Sequence, residues 1–268
     1  MLPFEYKLFC VLFSGFLGMI LASFIGNIAY RKSMFSVLKG FSHCESCQKQ
    51  LSAKQLFPVV GWIINKGKCP HCKYKIPFAY PVFEVMMFFL GGLLGLQILV
   101  NGVNIIFIVL FLILSYLSIY DLLFYKIDEK VVNLMTVVGF VFFIGRLITN
   151  YDFPYVVNGL FIFFLWICYF LITKFSKITL MGMGDFRFFT MLLLFIPFQL
   201  FWASFWGAAI IGGIVSVMVI ILNSKNWRGK KIPYIPLFFA GVVLASYFGW
   251  DNVVQEWINV LILYKYIN

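Results

Sequence analysis

The chain has 268 residues, 63% hydrophobic and 12% charged, with a net charge of +11. A water-soluble domain carries about 25% charged residues, so water is excluded as the main solvent. The long apolar runs require several bilayer crossings, and the positive charge is explained by membrane topology and anionic lipid, with no need for nucleic-acid binding.

At about 20 residues per crossing, the hydropathy pattern predicts an all-α polytopic bundle of about eight spans. They lie near 8–29, 82–100, 103–122, 131–149, 155–173, 186–200, 201–222 and 234–250. Residues 1–29 form the first span, 30–80 a polar loop, 81–250 the main core and 251–268 an interfacial tail. The first span exceeds the 7–15 apolar residues of a signal-peptide core, and its basic flank, Arg31-Lys32, follows it. It reads as a retained anchor with the N-terminus outside. The loops at 30–80, 123–130, 174–185 and 223–233 then face the cytoplasm. With the adjoining span ends they hold every lysine and arginine except Lys7, Arg146 and Lys265, as the positive-inside rule requires.

The first loop carries Cys44-Glu45-Ser46-Cys47 and Cys69-Pro70-His71-Cys72, a C-x2-C-x21-C-x2-C pattern. Two-residue gaps let each pair turn two sulfurs toward one tetrahedral ion, so a structural zinc on Cys44, Cys47, Cys69 and Cys72 is expected. Four protein ligands leave no open position for a reacting water. Redox cysteines or disulfides are the alternative, in an inverted protein. His43 and His71 adjoin these sulfurs and can substitute for one of them. Cys10 and Cys168 fall inside spans and read as small buried hydrophobes.

Two acids interrupt the apolar runs: Asp121 near the end of the third span, and Asp185 in Met181-Gly182-Met183-Gly184-Asp185. A carboxylate at a helix centre costs about 2.5–3.5 kcal/mol on insertion scales, and such residues mark function. Both fall at one membrane depth on one side. Two carboxylates brought together retain one proton between them, so one can activate water while the other polarises a carbonyl. Gly182 and Gly184 let backbone approach a substrate closely. Taken alone, the glycine motif also reads as a helix turn with an N-cap acid. Among the remaining acids, Glu84 begins the second span, and Asp128 and Glu129 follow Asp121 in a basic loop.

Together these segments resemble the prepilin peptidases, membrane aspartic proteases with a Gly-x-Gly-Asp signature, and most closely the competence-type enzymes of Gram-positive bacteria. The resemblance is carried in order by Ala22-Ser23-Phe24-Ile25-Gly26-Asn27, the cysteine loop with Leu56-Phe57-Pro58, Tyr80-Pro81-Val82-Phe83-Glu84, the Gly-x-Gly-Asp segment and Ile232-Pro233-Tyr234-Ile235-Pro236. Two positions depart from it: Asp128 stands where a proline is usual after Ile127, and Arg187 where lysine is common. The resemblance implies that Asp121 and Asp185 form the catalytic pair. It also implies a bacterial cytoplasmic-membrane enzyme that cuts leaders from prepilin or pseudopilin substrates on the cytoplasmic side. Many members then methylate the new N-terminus with S-adenosylmethionine, although no glycine-rich nucleotide loop is visible here. Because such leaders are basic, Glu84, Asp128 and Glu129 are candidate leader-binding acids. The alternative readings are a different Gly-x-Gly-Asp protease, or a non-catalytic transporter or assembly factor with a zinc loop.

Overall fold

The computed structural model describes residues 3–31, 42–44, 46–102, 104–149, 153–176, 182–222 and 232–249. Among these the chain is a helix bundle. Its elements are α1 (Phe4–Arg31), α2 (Ala53–Leu56), α3 (Val60–Ile64), α4 (Ala79–Asn101), α5 (Ile105–Phe124), α6 (Glu129–Thr149), α7 (Phe153–Ser176), α8 (Met183–Phe195), α9 (Phe198–Leu222) and α10 (Ile235–Phe248). The only extended pairing among the described residues is two isolated antiparallel bridges in the cysteine loop. The predicted tail at 251–268 lies outside the described residues.

Among the described residues six helices, α1, α4, α5, α6, α7 and α9, are long and apolar enough to cross a membrane. The other two predicted spans are shorter than expected, 13 residues in α8 and 14 in α10. Burial explains how α8 stays short. Phe186 and every residue from Phe188 to Phe195 are buried: α6, α7 and α9 pack on this helix, and Phe238 of α10 meets Phe188 and Phe189, so it meets protein more than lipid. Its end is fixed by Asn158 of α7, whose side-chain amide donates to the carbonyls of Leu193 (2.7 Å) and Ile196 (2.8 Å). Those carbonyls have no partner inside a helix that stops before Pro197.

Lipid supplies no hydrophobic drive between helices, so close packing must hold them together, and small residues permit it. On α1, Gly15 and Gly18 lie against Phe88, Met87 and Gly91 of α4, and a Cβ at either would press on an α4 carbonyl. On α9 and α10, Gly207 faces Gly241, where a Cβ would collide with the Ser204 carbonyl oxygen. On α5 the buried face is Leu110, Leu114, Leu117, Ser118 and Asp121, at the three- and four-residue spacing of one helix side. Phe111 meets Phe239 of α10 edge-on at 5.0 Å. That face brings the end of α5 to the start of α10.

Candidate active site

Helix α5 stops just past Asp121, where Tyr125 takes a left-handed conformation (φ 52°) and donates its amide to the Asp121 carbonyl at 2.8 Å. The Asp121 side chain is buried, 7% exposed. Its Oδ2 accepts the Ile235 amide at 3.1 Å, and the Tyr234 amide also donates to this carboxylate. The start of α10 explains the arrangement. Its N-cap, Tyr234, supplies no side-chain acceptor, so the first amides of the helix need one from elsewhere. A carboxylate at the positive end of the helix dipole serves both partners.

Asp185 stands three residues beyond Gly182, the N-cap of α8. The Gly182 amide donates to its carboxylate, and the Phe186 amide donates to the Gly182 carbonyl at 3.2 Å. An acid at this third position reaches back to the helix start as in a capping box. Gly184 lies against Ile127, so the turn after Asp121 touches the glycine segment. Asp185 lies within electrostatic reach of both Asp121 and Tyr234. The Tyr234 ring packs on Phe189, one turn beyond Asp185, with centroids 5.9 Å apart. Two acids 64 positions apart in the chain thus converge, each held by amides at the start of a helix.

The other three acids take different places. Asp128 caps α6: its Oδ1 accepts the Lys130 amide (3.1 Å) and the Val131 amide (3.5 Å), and its Oδ2 accepts the Tyr116 hydroxyl (2.7 Å). Glu129 pairs with Arg187, two residues after Asp185, at 3.3 Å. Both partners are substantially exposed, so this bridge contributes about 0–1 kcal/mol. Glu84 is buried away from the pair, against the cysteine module. Its Oε2 accepts the Val59 amide at 2.6 Å, and Ser23 hydrogen-bonds the same side chain.

The cysteine module is two copies of one turn. Cys44 and Cys69 each donate an amide to the carbonyl five residues on (Lys49 and Tyr74) and accept one from the residue four on (Gln48 and Lys73). Gln48 and Lys73 both have positive φ, 56° and 61°. Each turn closes with an antiparallel bridge, His43 to Gln50 and Lys68 to Lys75. The four sulfurs lie within 4.8 Å of one another, with Cys44 to Cys72 at 3.7 Å. That spacing suits the edge of a tetrahedron with metal–sulfur bonds of about 2.3 Å and is far too long for a disulfide. Burial pushes the metal-free Cys44 thiol up to about 11. Cys69 is buried too, yet falls to about 7 because the Cys72 and His71 amides donate to its sulfur. The donor set can hold a metal ion.

A family model described as the bacterial peptidase A24 N-terminal domain matches residues 16–98, and one described as the type IV leader peptidase family matches residues 108–217. A prepilin leader peptidase/N-methyltransferase of Bacillus subtilis (strain 168) is 23% identical over 250 residues, 91% of this chain and 96% of its own. A type 4 prepilin-like proteins leader peptide-processing enzyme of Escherichia coli O78:H11 is 32% identical over 66 residues, covering 25% of this chain and 24% of its own. A prepilin leader peptidase/N-methyltransferase of Neisseria gonorrhoeae is 26% identical over 114 residues, 33% of this chain and 40% of its own. No solved structure matches. The N-terminal part, with its cysteine module, and the membrane part, with both acids, are thus matched in order along most of the length. The chain belongs to the type IV leader peptidase family.

Proposed function

We propose that Asp121 and Asp185 together hydrolyse the leader peptide bond of prepilin-like substrates. The observation that carries this reading is the convergence of two carboxylates from α5 and α8, each held by helix-start amides. The pair titrates as a unit. In the hydrolytic step the ionised member takes a proton from water as that water attacks the peptide carbonyl. The protonated member donates to the carbonyl oxygen. Collapse of the tetrahedral intermediate returns a proton to the leaving amine and frees the leader. Gly182 and Gly184 keep side chains away from the substrate backbone beside Asp185. The distribution of lysine and arginine supports a site at the cytoplasmic face.

The four cysteines hold zinc in a structural role, since a complete thiolate set leaves no ligand position for substrate. Cys44, Cys47, Cys69 and Cys72 anchor the loop, and two relatives that are named as N-methyltransferases as well as peptidases support a second, S-adenosylmethionine-dependent step. Asp128 and Glu129, already bound within the fold, still bring negative charge beside the pair and attract a basic leader. Glu84 serves the module instead.

The test is purified protein in lipid with a prepilin-like substrate, with and without S-adenosylmethionine, read by product mass. The expected product lacks the leader, and the methyl donor adds one methyl group. D121N and D185N should each lower cleavage at least about 10³-fold with unchanged membrane insertion. Near-normal cleavage by either variant would refute the pair.

A further inference from the structure

Helices α7 and α9 do not run together along their length. At one end Phe161 of α7 packs on Phe198 and Trp202 of α9, with ring centroids 5.0 and 5.9 Å apart. Toward the other end each helix meets the floor made by α8: Tyr169 of α7 lies on Phe186 at 4.8 Å, and Phe205 of α9 meets Phe189 at 6.3 Å. The result is a V-shaped groove of about 330 Å³, closed by aromatics at one end. It runs along α8 toward the end that carries Asp185.

Its chemistry is uniformly apolar. Thr173 on its wall returns its hydroxyl to the Tyr169 carbonyl at 2.8 Å. On the neighbouring turns Trp166 donates to Thr190 at 3.2 Å. The groove therefore offers an incoming ligand shape and apolar surface and nothing polar to bind. Of the six long helices α7 is the least buried, so this wall of the groove opens sideways to lipid. A ligand that reaches it within a bilayer is an apolar helix or a lipid chain. Only the first has a reason to end at Asp185.

We propose that this groove seats the apolar helix that follows the cleaved bond of the substrate, with side chains at helical spacing inserted between α7 and α9. The inference rests on the leader-peptidase reading above and adds the place where substrate specificity resides. An apolar helix laid in the groove gains packing contacts that lipid tails make less well. Its leader-side end meets the Gly182–Asp185 turn, where unwound backbone is tolerated because protein surrounds it.

The chain supplies its own probes, because Cys168 lines the groove and Cys10 lies on α1, across the bundle. In the uncleaving D185N background, substrates with single cysteines along the apolar helix are oxidised in lipid. Disulfide trapping with Cys168 is expected at every third or fourth substrate position and should vanish in C168S. Equal trapping by Cys10, or trapping without periodicity, would assign the groove to lipid and overturn the proposal. Independently, C168W fills the groove. It should raise KM at least about tenfold for a substrate with its apolar helix, with a change under about twofold for a water-soluble peptide covering only the cleavage site. Equal loss on both substrates would overturn the seat. Failure of the unaltered protein to cut either substrate would instead overturn the peptidase reading, and the trapping pattern would still report on the groove.

Discussion

Glu84 and Val59 make the most quantitative test of how the cysteine module is joined to the bundle. Val59 has φ 60° and ψ −52°, and the Val60 amide reaches the Pro58 carbonyl at 2.6 Å. This is a γ-turn with positive central φ, the rare and strained form. For a β-branched residue such a conformation costs about 1–3 kcal/mol. The Val59 amide is held by the buried Glu84 carboxylate, and a hydrogen bond to a charged group contributes about 1.5–3 kcal/mol. The two magnitudes match, so the acid offsets the strain. E84A should lower the local opening free energy by about 2.8 kcal/mol, which is about a hundredfold faster amide exchange. E84Q keeps an uncharged acceptor and should lose about 1 kcal/mol. V59G removes the strain and should slow exchange several-fold, while lessening the effect of E84A by about 1 kcal/mol in the double variant. The assay is hydrogen exchange by mass spectrometry over residues 55–64, with the protein in lipid discs. Exchange within about threefold of the parent in E84A, or an identical E84A effect with and without V59G, would refute the coupling.

Three further outcomes are expected. G241V, which drives a side chain into the Ser204 carbonyl, should cost about 1–3 kcal/mol in denaturant titration. It should also lower kcat by displacing the Ile235 amide from Asp121, whereas G213A, with open space around it inside α9, should not destabilise and should gain up to about 1 kcal/mol. N158L strips two buried carbonyls at the end of α8 of their donor and should cost about 2–3 kcal/mol by the same titration. C69S removes a buried ligand and should reduce metal, measured by elemental analysis, from about one ion per chain to near none, with protease sensitivity rising in residues 42–76.

Some of this organisation is readable before any coordinates. Asp121 and Asp185 stand out because an acid inside an apolar run has few inexpensive explanations, and C-x2-C spacing fixes how two sulfurs turn toward one point. The helix count was less legible. Hydropathy registers apolar length and cannot tell lipid from protein, so buried α8, the short first half of the unbroken run 186–222, reads as a crossing although it has 13 residues. The contact of Glu84 was hidden for a related reason: an acid at a helix start signals charge, while its partner Val59 lies 25 positions back and contributes only a backbone amide. The Asp128 environment is similar, because a tyrosine twelve residues earlier and its own helix start take up its oxygens. Backbone donors have no residue signature, and Ile235 shows it most clearly. The Ile-Pro-Tyr-Ile-Pro segment was recognisable by resemblance alone, and its use in holding Asp121 appears only in three dimensions.

The hydrogen bond from Ile235 to Asp121 spans 114 positions. During synthesis α5 therefore enters the bilayer well before its acid has that donor. The amide that holds Asp121 is thus supplied only once α10 has been made and has docked, whereas the Gly182 amide that holds Asp185 lies three residues before it, so the two carboxylates are fixed by contacts of very different range.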